Sequence, residues 1–272
     1  MKELQQAIGE QDCFLAGLQV AAEFQKNMRC VPYYQQQMSE WQADAKLYLK
    51  SSDVNTANLT RLIEFFFVEL AFSGNEKHYF SSQCSLINKV LEYRTGMPVS
   101  LAIVFQSLGR ALGFDIHGVN FPGHFLIKCK FNNEPTVFVD PLNGKLLNRD
   151  DLHTLYFSIL NEFEDEEMPE EALSEACCEE TLVRLLHNLK SAYISEKKYE
   201  EALGVVETLV QLCPNDPYER RDRGFLLHQL DCTQVAIADY QYFIRQCPKD
   251  PATQLLQAQL QQLTEQAQVV LH

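Results

Sequence analysis

The sequence is short of positive charge and has no long apolar run. Its 272 residues include 23 Lys and Arg against 37 Asp and Glu, a formal net charge of −14. Binding to nucleic acid requires a concentrated basic surface, and an anionic membrane surface repels an acidic protein. The most apolar stretch, residues 62–72, contains Glu64 and Glu69, and it is far shorter than the about 20 apolar residues of a spanning helix. We therefore expect no nucleic-acid partner and no membrane partner.

Secretion and metal signals are also lacking. The first residues, MKELQQA, have neither the apolar region nor the cleavage site of a secretory signal. The nine cysteines are an odd number and include no Cys-x-x-Cys pair, which favours reduced thiols and a cytoplasmic location. The vicinal Cys177 and Cys178 suggest two small apolar side chains on a helix, with a redox pair as the alternative. No His, Cys and carboxylate set has zinc spacing, and we expect no metal and no cofactor.

A repeat of 34 residues is the clearest internal pattern. Ala202 recurs as Ala236, and a Cys-Pro-x-Asp-Pro segment occurs at 213–217 and again at 247–251. This is the period of the tetratricopeptide helix-turn-helix unit, and a small side chain lets its two helices approach. Residues 182–251 therefore resemble a pair of tetratricopeptide repeats. The Gln-rich stretch that follows is expected to form a capping helix.

An acidic segment separates the repeats from the rest of the chain. Residues 162–180 contain ten Asp and Glu, and like charges at this density favour a solvated linker, with a docking site for a basic partner as the alternative. The sequence thus predicts three parts. They are a helical segment with a mixed domain over 1–161 (core 96–147), an acidic linker over 162–180, and a repeat region with its capping helix over 181–272.

The first part is predicted to be helical up to about residue 95 and mixed beyond it. Apolar residues at three- and four-residue spacings predict helices over 59–72 and 85–93. A further helix is expected from Pro98 to Gly113, since proline suits the first helical position and glycine the position after the end. Three extended segments follow, at 116–121, 124–131 and 136–140, separated by turn residues. A helix followed by an antiparallel meander predicts an α+β unit.

Two polar residues of the meander form the candidate catalytic pair. His124 begins one predicted strand and Asp140 ends the next. If the loop between them has an odd number of residues, the two side chains are diagonal neighbours on one face of the sheet. An aspartate that orients a histidine is half of a nucleophile–base–orienter triad. A buried histidine at a turn and an aspartate that caps a turn are the structural alternative.

The same region resembles the transglutaminase-like (papain-like) fold. In that family a Gly-x-Cys sequence opens a helix of the form Ala-x-x-Phe-x-x-Leu-x-Arg-Ala-x-Gly, and later strands carry His and Asp-Pro. Here Gly96-Met97-Pro98 opens the helix, His124-Phe125 occupies the histidine position, and 139–141 reads Val-Asp-Pro. Over nearly the whole chain the sequence resembles the SirB family (its first subfamily), which joins such a domain to tetratricopeptide repeats. The segments that carry this likeness are 96–101 and 118–125.

The departure from the family pattern concerns the nucleophile. Pro98 occupies the position of the catalytic cysteine and supplies no nucleophile, although a thiolate there would gain from the helix N-terminus. Ser100 lies in the first turn of the helix and is the replacement considered first, with a structural hydrogen bond as its alternative role. Cys84 is separated from the position by a turn. Cys129 lies five residues after His124, so strand alternation points it to the other face.

The resemblance and the missing cysteine together predict a non-catalytic interaction or regulatory protein of a bacterial cytoplasm. We expect a protein or peptide partner to bind through the repeats or through a residual cleft. The cleft is expected to be lined by Asn120, His124, Asp140 and Asn143. The alternative is a hydrolase or acyl-transfer enzyme with Ser100 as nucleophile, His124 as base and Asp140 as orienter.

Overall fold

The computed structural model describes residues 2–28, 30–74, 81–160 and 167–269, with side chains described as far as residue 261. The chain folds as two compact units, Met1–Asn188 and Leu189–His272. The first unit combines helices with antiparallel strands and the second is helical, which agrees with the predicted α+β class followed by an all-α region. Within the described residues no helix combines the length and the apolar character that crossing a membrane requires.

The N-terminal part of the first unit is helical, as predicted. Apolar residues at helical spacing bury one face of each helix, and Phe66 stacks on Phe72 (ring centroids 4.4 Å apart) and meets Phe105 edge-on at 5.3 Å. The Phe65-Phe66-Phe67 run thus contributes to the core. The helices are α1 (Lys2–Gly9), α2 (Cys13–Phe24), α3 (Cys30–Leu49), α4 (Thr56–Glu64) with a π-helical turn over Phe65–Glu69, and α5 (Ile87–Tyr93). The short strands β1 (Ser73–Gly74) and β2 (Thr95–Gly96) pair in parallel.

A long buried helix and an antiparallel sheet complete the first unit. Helix α6 (Pro98–Ala111) ends at Gly113, whose φ of +88° suits glycine. The strands are β3 (Asp115–Val119), β4 (Leu126–Lys130), β5 (Val137–Val139), β6 (Leu146–Leu147) and β7 (Glu175–Ala176), in the order β6-β5-β4-β3-β7. The sequence predicts β3, β4 and β5. Strands β6 and β7 have two residues each, too few for an alternating pattern.

The segment predicted to be a solvated linker is ordered over its described residues, 167–180. Met168 and Leu173 are buried against the sheet, and β7 pairs with β3 through Ala176 and Gly118. Glu175 lies within 3.4 Å of Lys128 and 3.0 Å of Lys130, so ion pairs offset part of its charge. The few apolar side chains of the segment are therefore buried. Its acidic composition does not indicate this. Residues 162–166 lie outside the described part. Helix α7 (Arg149–Leu160) packs on the same cluster.

The helices of the second unit repeat with the predicted period. Helix α8 (Cys178–Ser195) includes the division between the units and is followed by α9 (Tyr199–Leu212), α10 (Pro217–Gln229), α11 (Thr233–Gln246) and α12 (Pro251–Val269). Helices α9 and α11 begin and end 34 residues apart, as do the starts of α10 and α12. Ala202 and Ala236 are fully buried, as the close approach of paired helices requires.

All nine cysteines are free thiols. Cys177 is exposed at the start of α8, while Cys178 is buried and hydrogen-bonded to the thiol of Cys13 on α2. The two vicinal cysteines therefore differ in surroundings, and they are not a pair of equivalent apolar residues on one helix face.

A buried ion cluster lies inside the second unit. Lys190 Nζ on α8 contacts Glu219 Oε2 at 3.0 Å and Asp222 Oδ2 at 2.7 Å, both on α10. The side chains of Lys190 and Glu219 are only 9% and 3% exposed. Charges at such depth are tolerated because they are paired, and the removal of one partner leaves the other uncompensated.

Lys190→Ala is expected to destabilise the protein by about 3–5 kcal/mol, because it takes a buried ammonium group away from the deeply buried Glu219 carboxylate, whereas Asp222 keeps its ion pair with Arg221. Lys198→Ala is the matched control. It removes an ammonium group that is 50% exposed and paired with Glu196, and the expected loss is about 0–1 kcal/mol. Urea unfolding of both variants provides the comparison, and equal losses would contradict the assignment of Lys190 to a buried cluster.

Candidate functional site

The start of α6 occupies the position of the family's nucleophile. Met97 is the N-cap residue, Pro98 is the first residue of the helix, and both are buried. Proline is suited to this position because its missing N–H has no partner inside a helix. The Pro98 side chain is a saturated ring with no hydrogen-bond donor, no hydrogen-bond acceptor and no nucleophilic atom.

Ser100 lies in the same turn, and its hydroxyl is already occupied. Its Oγ donates to the backbone oxygen of Cys84 at 2.6 Å and accepts from the backbone N–H of Met97 at 2.9 Å. The residue is fully buried. A hydroxyl has one proton to donate, and here both acceptors within its reach are backbone carbonyls, since Met97 O lies 3.0 Å from Ser100 Oγ. Ser100 therefore links the start of α6 to the preceding segment.

His124 and Asp140 are brought together by the register of β4 and β5. Ile127 pairs with Val139 and Cys129 pairs with Val137, so the number of residues between paired positions is odd (130–136 for the last pair). His124 lies in the turn before β4, after Gly123, whose φ is +64°. Its Nε2 lies 3.2 Å from Asp140 Oδ1, and the two side chains are 11% and 18% exposed. The two side chains are neighbours across the strands, as the sequence predicts for an odd loop.

Asp140 is held in its ionised form by its surroundings. Burial opposes its charge, but hydrogen bonds from His124, the backbone N–H of Leu142 and the side chain of Asn143 outweigh it, and the pKa of Asp140 lies below its usual value. The Leu142 N–H reaches Oδ1 at 2.9 Å. The turn itself is closed by Gly144, with φ of +75°. Asp140 thus caps a turn and orients a histidine at the same time.

The pair has the orienting half of a triad. With Asp140 at Nε2, Nδ1 is the nitrogen of the His124 ring that remains for a second partner. The expected nucleophile, Ser100, makes its hydrogen bonds to Cys84 and Met97 instead.

The other predicted site residues divide into two groups. Asn143 joins the pair, since its Oδ1 accepts from Lys145 N at 2.8 Å and its side chain bonds to Asp140. Asn120 is exposed, and within the described residues its side chain has no hydrogen-bond partner. Cys129 is fully buried and burial raises the pKa of its thiol to about 12, which keeps it protonated. Cys84 is also buried.

Sequence reasoning did not find the cavity beside the outer strands of the sheet. It has a volume of about 440 Å³, and its lining includes Lys128, Phe138, Arg149 and Leu173 but none of the four residues expected to line the cleft. The lining comes from five separate segments, so no local pattern reveals it. In the part of the chain that the structure describes, no group of three His, Cys, Asp or Glu side chains is arranged to hold a metal ion.

Ser100→Ala is expected to lower the free energy of unfolding by about 1–3 kcal/mol, because it removes a buried hydroxyl that bonds to the backbone of Cys84 and Met97. Ser107→Ala, on the same helix but half-buried and without a side-chain hydrogen bond among the described residues, is the control, with an expected change within about 0.5 kcal/mol. Urea unfolding measures both. A Ser100→Ala protein as stable as the unchanged chain would show that the hydroxyl has no structural role.

Asp140→Asn tests the pair through pH. Because the pKa of Asp140 is lower in the folded state, the unfolded chain binds more protons at acid pH, and the carboxylate contributes stability above its unfolded pKa of about 3.9. The unchanged protein is expected to exceed the variant by about 1–3 kcal/mol at neutral pH. This difference should shrink as the pH falls below about 4. The exposed Asp44→Asn is the control. A difference independent of pH would contradict the account.

Comparison with known families supports the division of the chain. The profile of the Transglutaminase-like superfamily matches residues 33–187, and a tetratricopeptide repeat profile matches 189–261. Among solved structures, the crystal structure of menin aligns with 89% of this chain, and the alignment covers 70% of the menin chain. The two sequences are 10% identical and the TM-score is 0.37. An agreement this loose carries no argument about fold or function.

Several bacterial relatives are similar over most of their length. A UPF0162 protein of Vibrio cholerae is 36% identical over 230 residues, which cover 84% of each chain. SirB1 of Salmonella typhimurium is 34% identical and the UPF0162 protein YchA of Escherichia coli K12 is 33% identical, each over 215 residues that cover 79% of this chain and 78% of the relative. The chain therefore belongs to the SirB1/UPF0162 family, in which a transglutaminase-like domain precedes tetratricopeptide repeats.

Proposed function

We propose that this protein is a non-catalytic transglutaminase-like protein that acts as an interaction or regulatory factor in the bacterial cytoplasm. In this role the first unit serves as a scaffold with a residual cleft, and the repeat region binds a protein or peptide partner. The net charge of −14 favours a partner that is neither nucleic acid nor an anionic membrane.

The observation that carries the proposal is the chemistry at the start of α6. Pro98 replaces the family's cysteine, and the nearby Ser100 hydroxyl is buried with the carbonyls of Cys84 and Met97 within hydrogen-bond distance. To act as a nucleophile, Ser100 would first have to turn its proton away from these carbonyls and give up buried hydrogen bonds. A structural role for Ser100 requires no buried hydrogen bond to break.

The retained pair has a role without catalysis. His124, Asp140 and Asn143 join the turn before β4 to the turn after β5, through the 3.2 Å contact and the bond from Asn143. Such a partly exposed polar cluster is able to bind a peptide backbone or a polar side chain. With Asn120 nearby in sequence, these residues form the proposed residual cleft.

The repeat region supplies the second part of the proposal. Tetratricopeptide repeats generally mediate contacts between proteins, and the stacked helices form an extended surface. Large apolar side chains remain exposed on α10, α11 and α12, namely Phe225 (39%), Val235 (54%) and Leu255 (66%). Exposed apolar side chains favour association with a protein over binding of a small polar ligand.

A second candidate function rests on the His124–Asp140 contact. In a hydrolase or acyl-transfer enzyme, His124 would take the proton of Ser100 while Asp140 held the ring, and Ser100 Oγ would attack the substrate carbonyl. This mechanism requires the Ser100 side chain to leave the Cys84 carbonyl and reach the His124 ring. The observation that favours this mechanism is the contact of Asp140 with the His124 ring.

Partner capture from a lysate of the source bacterium tests the proposal with the full-length chain as bait. The variant Phe225→Ser/Val235→Ser/Leu255→Ser removes exposed apolar surface from the repeats. A matched control, Tyr33→Ser/Val54→Ser/Val68→Ser, removes exposed apolar surface from residues 1–188. We expect a specific protein to be retained by the unchanged bait and by the control, and to be lost with the repeat variant, with circular dichroism confirming that both variants are folded.

Two results would contradict the binding role of the repeats. One is a retained protein that survives the repeat variant and is lost with the control. The other is the absence of any protein that the bait retains above an untagged lysate.

A further inference from the structure

A groove lies between the end of α3 and the end of α6, away from every residue of the candidate site. We refer to it as the α3–α6 groove. Its volume is about 710 Å³, which falls in the range of about 300–1,000 Å³ typical of small-molecule sites. Its lining consists of Ala43, Lys46, Leu47, Leu49, Lys50, Ser51, Ser52, Asp53, Ala111, Leu112 and Phe114.

The floor of the groove is apolar and fixed. Leu49 and Phe114 are 2% and 3% exposed, so both are anchored in the core and present only an edge to the groove. Leu47 is 75% exposed although it is a large apolar residue. A leucine in this setting gains from an apolar ligand that covers it, because such a ligand removes its surface from water.

The rim of the groove is positively charged. Lys46 lies in the last turn of α3 and Lys50 directly follows the helix with φ of +57°, and both residues line the groove. In the described part of the chain, neither ammonium group has a carboxylate within 4.0 Å. Asp53 also lines the groove, but it accepts a hydrogen bond from the hydroxyl of Ser51 at 2.8 Å.

We propose that the α3–α6 groove binds a small amphipathic carboxylate, with its apolar body on Leu47, Leu49 and Phe114 and its charge between Lys46 and Lys50. The two ammonium groups on the rim attract an anion in the groove and repel a cation. The volume suits one small molecule and is too small for a folded partner. The groove is not lined by His124 or Asp140, so the outcome of this test does not depend on the proposed function.

Decanoate serves as the probe, with decylamine as a cation of the same chain length. Isothermal titration of the full-length protein is expected to give saturable binding of one decanoate per chain and at least tenfold weaker binding of decylamine. Lys46→Gln/Lys50→Gln is expected to weaken decanoate about tenfold, since two exposed charge contacts are lost. Lys2→Gln/Lys26→Gln removes the same charge from other exposed positions of the first unit and should leave the affinity within about twofold.

The apolar half of the groove is tested with Leu47→Ser, which is expected to weaken decanoate and decylamine alike. Val68→Ser, at a residue that is 66% exposed elsewhere in the first unit, is the control and should change neither affinity. Because Leu47 and Val68 are both exposed, neither change is expected to prevent folding.

Three results would overturn the proposal. They are the absence of saturable decanoate binding, equal affinity for decylamine, and decanoate binding that the Leu47→Ser and double lysine variants leave unchanged. Sedimentation of the unliganded protein adds a further outcome, since a dimer that Leu47→Ser dissociates would mean that a second copy of the chain occupies the groove.

Discussion

The hydrogen bond from Ser100 to the Cys84 carbonyl is the contact on which the rest of the first unit depends. It lies at the start of α6, the helix against which β3 packs and around which α2, α3 and α5 are arranged. A buried polar contact of this kind is costly to break, because the groups have no water to replace their partners. It therefore holds the start of α6 against the segment that precedes α5.

Around this contact the fold brings His124 and Asp140 together, while the Ser100 hydroxyl bonds to the backbone of Cys84 and Met97. The odd loop between β4 and β5 holds His124 against Asp140, and the Asp140 carboxylate also accepts the Leu142 N–H. The second of these bonds closes a turn, which gives Asp140 a structural role besides its contact with His124.

Patterns of local origin were predictable from the sequence. The 34-residue period predicts the matching starts and ends of α9 and α11, and Pro98 and Gly113 mark the limits of α6. In both cases the signal lies within a few residues of the feature, or recurs at a fixed spacing, so it is readable from one sequence. The His124–Asp140 contact was predicted only for an odd loop, and it is the register of β4 and β5 that decides the parity.

Contacts between distant segments were not predictable. Strand β7 joins β3 across more than 50 residues, and the acidic composition of its segment suggested a solvated linker. The acceptor of Ser100 is a backbone carbonyl, and every residue has one, so the sequence does not single out Cys84. The α3–α6 groove combines two helix ends whose proximity depends on the packed core.

The most direct test of the central claim is covalent labelling of the native, full-length protein. A fluorophosphonate reports activated serine and a chloroacetamide reports activated cysteine, and intact-mass measurement counts the modified sites on the unchanged chain and on His124→Ala. The account predicts no serine labelling, and cysteine labelling that is confined to exposed thiols such as Cys177 and equal in the two proteins. Stoichiometric labelling of Ser100 or of any cysteine that His124→Ala abolishes would contradict it.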